Sequence, residues 1–158
     1  MNLPTRALLV LALMSLLSAC SSTGGSGFAG RRAPVPVSAP DKVQTAVVAA
    51  NQIVGKPYKW GGGHGKLEDS GYDCSGTVSY ALAKAGLINA PTTSSGLMNF
   101  GESGRGKWIT IYARQGHAFM VVAGMRLDTT GRRGNEGPAW RGSARDLRGF
   151  VARHPAGL

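Results

Sequence analysis

Cysteine and histidine are scarce in this chain: two and three, respectively, in 158 residues. Two cysteines exclude a zinc ribbon and a disulfide-dense scaffold. Three scattered histidines lack the spacing of a zinc hydrolase, so neither a metal nor a cofactor is expected. Acidic residues are few as well: 8 Asp+Glu face 18 Lys+Arg, for a formal charge of +10. That balance suits a polyanionic partner (nucleic acid, anionic lipid or an acidic wall polymer) or serves solubility alone. No run of five basic residues occurs and none is interleaved with aromatics, so no nucleic-acid partner is expected. A phosphate loop is excluded because Leu67 follows Gly65-Lys66 and Trp60 stands where the first glycine belongs. Glu68, Asp69, Asp73 and Glu102 offer a carboxylate pair for glycosidase chemistry, but charged loops are usually just solvated. The few groups left that can act as nucleophile or base therefore carry most of the functional weight.

Long apolar runs are also missing, with one informative exception. Asn2 to Arg6 carries a single positive charge, and Ala7 to Leu17 is an uncharged apolar run. At 1.5 Å per residue that run spans about 17 Å, against a bilayer core of about 30 Å. It reads as the apolar region of an export signal. It ends Leu17-Ser18-Ala19-Cys20, which resembles the lipobox of bacterial lipoproteins. The resemblance implies a signal peptide over 1–19, lipidation (palmitate included) of Cys20, and membrane attachment through that anchor. Ser21 and Ser22 carry no acidic signal for inner-membrane retention, so a Gram-negative host would place the protein on the outer membrane, facing the periplasm. With Cys20 acylated, Cys74 is the sole thiol and a candidate reactive one.

Residues 20–40 are rich in Ser, Gly, Ala and Pro without apolar period and read as a lipidated cysteine followed by a flexible tether. One domain is expected over 41–153, with 154–158 as a tail. Val43, Ala46, Val47, Ala50 and Val54 recur at helical spacing after Asp41, a candidate cap, and Gly55 and Pro57 stop them. Lys56 to Gly65 is a glycine-rich loop. Asp73 caps a second predicted helix with Val78, Ala81, Leu82 and Ala85 on its apolar face, and Ser95 to Asn99 reads as one helical turn within a loop. Strands are predicted over Trp108–Ala113, His117–Val122, Arg126–Thr130 and Leu147–Arg153, and Arg132–Gly142 as a polar loop. Helices followed by an antiparallel sheet give an α+β order.

Cys74 falls at the start of the second helix, where the helix dipole and free N–H groups favour thiolate and can hold an oxyanion. A thiolate needs an imidazole. His117 opens a strand whose same face carries Phe119 and Val121, whereas His64 and His154 read as solvated. The imidazole in turn needs an acceptor. If the following hairpin turns on Ala123-Gly124, Phe119 faces Asp128, His117 faces Thr130, and Asp128 is within diagonal reach. If it turns on Gly124-Met125, Asp128 is too far, and Thr130 or a backbone carbonyl takes its place.

Three segments in this order, Gly55-Lys-Pro-Tyr-Lys-Trp-Gly-Gly-Gly63, Gly71-Tyr-Asp-Cys-Ser-Gly76 and Gly116-His-Ala-Phe-Met-Val-Val122, resemble the NlpC/P60 cysteine peptidases of bacterial cell walls. The resemblance covers about 41–131. It implies a papain-like α+β fold with N-terminal helices packed on an antiparallel sheet. Cys74 would be the nucleophile and His117 the base. Asp128 stands at the family's variable third position, often His. Tyr58 would line the site, and Asp73 and Ser75 would help read the substrate. That substrate would be the peptidoglycan stem peptide, cut commonly at γ-D-glutamyl–diaminopimelate, in the cell envelope. Thr92-Thr93-Ser94 lacks the arginine that often begins this motif in the family, and the resemblance assigns no counterpart to 132–153. Two other readings stay open: a non-catalytic wall-binding scaffold, and an acyl or amide transferase using the same pair. An unidentified activator also stays open.

Overall fold

Helix α1 (Asp41–Ile53) forms where the apolar period predicts it and buries Val43, Ala46, Val47, Ala50 and Ile53. The computed structural model that shows this describes residues 31–158. The expected signal peptide, Cys20 and the first part of the tether lie outside the described residues. Pro40 rather than Asp41 occupies the cap of α1, and no side chain caps it. Asp41 lies instead in the first turn, where its carboxylate meets the positive end of the helix dipole. Helix α2 (Cys74–Lys84) is capped by Asp73, and the single-turn α3 (Ser94–Leu97) by Thr93. Among the described residues no helix is long and apolar enough to cross a membrane.

Six antiparallel strands complete the α+β fold: β1 (Glu102–Ser103), β2 (Ile109–Arg114), β3 (His117–Val122), β4 (Met125–Gly131), β5 (Gly134–Arg141) and β6 (Val151–His154). Their spatial order is β1-β6-β2-β3-β4-β5, so the last strand inserts beside β2. Strand β5 corrects the expectation of a loop over 132–142. Gly137 and Pro138 disguise it in the sequence, but both are tolerated because it is an edge strand. Trp140 at its end is fully buried, and its indole N–H donates to Asn51 Oδ1 of α1 at 2.8 Å. Strand β6 starts later than predicted, because the residues before it serve a different purpose.

The sheet has two unlike faces. Ala118, Met120 and Val122 of β3 join Val47, Val78 and Leu82 of the helices in the main core. The alternate residues belong to the other face. There Phe119 is fully buried although no helix covers it, with Tyr112 stacked at 5.0 Å and Phe150 edge-on at 5.2 Å. Phe150 ends the connection 142–150 between β5 and β6, a strap across this second face.

Packing reaches into both flanks. Ala33 is buried and exchanges two backbone bonds with the Asn51 side chain, within the stretch read as tether. Leu158 is buried too, and its carbonyl accepts from the N–H groups of Trp108 and Ile109. His154, expected in a solvated tail, lies in β6 with Nδ1 3.1 Å from the Gly104 carbonyl.

Candidate active site

Cys74 is the first residue of α2 because Asp73 fixes the helix start. The Asp73 Oδ1 accepts from Gly76 N–H at 2.7 Å, and Oδ2 accepts from Gly61 N–H at 3.1 Å. One carboxylate thus joins the helix terminus to the glycine-rich loop. Contact between them is close enough that a Cβ on Gly76 would stand 2.0 Å from the Gly62 carbonyl oxygen. Cys74 is 9% exposed, at the edge of a cleft of about 320 Å³. Tyr58, Trp60, His64, Asp73, Ser75 and Thr93 are among the residues lining it.

The thiol does not behave as a buried thiol should. Burial pushes its pKa up, but hydrogen bonds with His117 and the Ala118 backbone, then the His117 charge, outweigh that and hold it below the ordinary value. The imidazole moves the opposite way. Burial favours its neutral form, and hydrogen bonds to Asp128 and Cys74 override this and raise its pKa. The two shifts run in the directions that favour a thiolate–imidazolium pair.

The strand pairing settles where Asp128 lies. Met120↔Leu127, Val121↔Arg126 and Val122↔Met125 pair around the Ala123-Gly124 turn. This is the register that carries Asp128 onto the His117 face. The His117 Nε2 is 3.3 Å from Asp128 Oδ1 and 3.5 Å from Thr130 Oγ1. Nδ1 is thereby left for the thiol. Asp128 is 1% exposed. Burial raises its pKa, but the bonds from His117 and the Thr130 N–H and the Arg145 charge hold it below the usual carboxylate range.

The structure therefore brings Cys74, His117, Asp128 and Thr130 into one chain of contacts, with Tyr58, Asp73 and Ser75 on the cleft. The polar atoms of Asp73 and Ser75 are already engaged with each other and with the helix terminus. Tyr58 is held as a phenol: burial, then the Cys74 and Asp73 charges, raise its pKa, so it keeps an O–H to donate. His64 is a correction. It is not a solvated loop residue, because its Nε2 lies 3.1 Å from Asp73 Oδ1 and 3.2 Å from Ser75 Oγ. Its position nine residues before the capping Asp73 was the available clue. Sequence reasoning also missed Arg145, which donates to Asp128 Oδ2 from the strap. Nothing in the local sequence marks that residue.

Comparison with known proteins is consistent with this layout. The NlpC/P60 family model matches residues 55–122. Over 98 residues, 50% of the chain, it is 33% identical to the bifunctional muramidase/DL-endopeptidase CwlT of Bacillus subtilis (strain 168), covering 29% of that protein. Over 58 residues, 34% of the chain, it is 43% identical to the murein DD-endopeptidase MepH of Escherichia coli (strain K12), covering 20% of that protein. The chain matches less than a third of either relative's length. The family match holds Tyr58, Cys74 and His117 and ends before Asp128, Thr130 and the strap.

Proposed function

Because the NlpC/P60 family model matches residues 55–122, we propose that this chain is a peptidoglycan endopeptidase of that family that hydrolyses stem-peptide amide bonds with Cys74 as nucleophile. The observation that carries the reading is the thiol itself. It sits at a helix N-terminus beside an open cleft, with its pKa held low by an imidazole that a buried carboxylate backs. In this reading the Cys74 thiolate attacks the scissile carbonyl. The free N–H groups at the start of α2 and the Tyr58 hydroxyl stabilise the oxyanion. The His117 imidazolium gives its proton to the leaving amine, then takes one from the water that hydrolyses the thioester. Asp128 holds the imidazole and supports its charge, in the role an acid plays in other nucleophilic triads.

The γ-D-glutamyl–diaminopimelate bond is the one we assign first. The two relatives are named for DL and DD bonds, so fragment masses decide between them. Mass spectrometry of muropeptides after incubating the intact chain with purified peptidoglycan should show new fragments. Cys74→Ala should show none, at unchanged Tm. Fragments from Cys74→Ala would overturn the mechanism. Binding of both forms without cleavage would favour a scaffold, and a new amide would favour a transferase.

The basic surface and the lipobox-like Leu17-Ser18-Ala19-Cys20 support a location in the cell envelope, anchored through a lipidated Cys20. Cys20→Ser should move the protein from the membrane pellet to the soluble fraction. Continued sedimentation would sink the anchor.

A further inference from the structure

The strap 142–150 does more than cover apolar surface. We propose that it orients the Asp128 carboxylate, with Arg145 as the positioning residue that turns Asp128 Oδ1 toward His117. This rests on the reading that Cys74 and His117 are the reactive pair.

The two oxygens of Asp128 have separate tasks. Oδ1 accepts from the Thr130 N–H at 2.9 Å and faces His117 at 3.3 Å. Oδ2 is taken by Arg145 Nη1. The guanidinium of Arg145 is itself fixed, 4.8 Å from the Phe119 ring centroid and 5.6 Å from that of Phe150. Phe150 meets the imidazole edge-on, with centroids 6.0 Å apart. One strap therefore holds both the acid and the ring it supports.

The other charges around Asp128 explain why a clamp is needed. Arg126 of β4 has Nε 3.5 Å from Oδ2, and that nitrogen is buried with no hydrogen bond among the described residues. Its Nη1 donates to the Ala144 carbonyl of the strap. Arg141 of β5 approaches the Asp128 main-chain oxygen at 3.4 Å. Arg114 of β2 lies over Phe150 at 4.6 Å. Without Arg145, the cation left beside Oδ2 is Arg126, whose Nε stands 3.5 Å away without a hydrogen bond and so does not fix the carboxylate's orientation. Planar guanidinium on a stacked seat suits the clamp better than a mobile ammonium. The strap lies outside the family-matched residues 55–122.

The test reads the thiol directly. Iodoacetamide alkylation of Cys74 in the intact chain, followed by peptide mass against pH, reports the thiolate. Facing Cys74 are His117 of β3, Asp73 and Tyr58, and these stay constant throughout. Arg145→Gln should move the midpoint upward by about one pH unit, the direction expected of Asp128→Asn. In the Asp128→Asn background, Arg145→Gln should add no further shift. A packing role, or a charge acting through space, would add its full shift there and overturn the proposal. So would an unmoved midpoint in the single variant. If Arg145→Gln does not fold, the same cycle is run with Arg145→Lys, expected to shift less in the same direction. No step uses peptidoglycan, so failure of the wall-peptidase reading leaves this result standing. A wild-type midpoint at the ordinary thiol value would sink the pairing and the proposal together.

Discussion

The front of the site, residues 57–76, and its back, residues 128–150, each hold one buried aspartate by different physics. In front, Asp73 is satisfied by Gly61 and Gly76 N–H groups, a serine hydroxyl and His64, all within twelve residues of it. At the back, Asp128 gathers His117, Arg126 and Arg145 from β3, its own strand and the strap. The front is a close-packed backbone device that places Cys74. The back is a charge device that sets the state of His117. The front's close backbone fit does not depend on pH, whereas the shifted Asp128 and His117 at the back titrate, so the two halves should fail under different conditions.

The largest effect that separates them is at the back. His117→Ala should lower the turnover rate about a thousandfold, since it removes the proton carrier. Asp128→Asn should cost about tenfold, because Thr130 keeps some hold on the ring. The pH dependence of stability gives the same contrast. The folded pKa of Asp128 is depressed, so its stabilisation is complete above about 4 and is lost as pH falls through the folded value. The folded pKa of His117 is raised, so its stabilisation is complete below about 6.5 and is lost as pH rises through the folded value. Urea unfolding across pH should show wild-type stability declining on both sides of that window, and Asp128→Asn should flatten both limbs. A wild-type profile that is already flat would mean the charge device does not stabilise the fold.

The next effect breaks the front alone. A Cβ on Gly76 would meet the Gly62 oxygen at 2.0 Å, a backbone atom that cannot swing aside. Gly76→Ala should cost about 1–3 kcal/mol in denaturant unfolding and displace the loop that carries Tyr58 and Trp60. Its loss should be the same at pH 4 and pH 7. A loss that varied with pH would show that front and back are coupled.

This contrast also explains what the sequence could reveal. The Asp73 cap, the helix it starts and the place of Cys74 follow from neighbours three residues apart. His117 follows from its strand, and the Ala123-Gly124 turn selected one of two registers for Asp128. Other features depend on distant partners. Strand β5 is spelled with Gly137, Pro138 and charged residues, and it exists because its partner is β4 and Trp140 reaches Asn51 of α1. Arg145 reads as one more solvated arginine, yet it meets an aspartate seventeen residues earlier through side-chain atoms alone. Periodicity carries no such pairing. His64 lay in between: its partners are near in sequence, but a glycine-rich loop gives no period from which to infer its direction.

The smallest expected effect tests whether the front also binds. Trp60 is 85% exposed on the rim of the cleft, the largest uncovered aromatic surface among the described residues. It is not part of either core cluster, so removing it uncovers nothing. Trp60→Ala should leave stability within about 0.5 kcal/mol of wild type. A ring held open beside the nucleophile gains contacts only when a substrate covers it, and equally before and after the chemical step. Such uniform binding lowers KM without raising kcat. Trp60→Ala should therefore raise KM for a soluble muropeptide about fivefold at constant kcat, whereas Asp128→Asn should lower kcat at nearly constant KM. If Trp60→Ala lowers kcat instead, the rim shapes the reacting geometry. The division of labour between a front that binds and a back that tunes the base would then not hold.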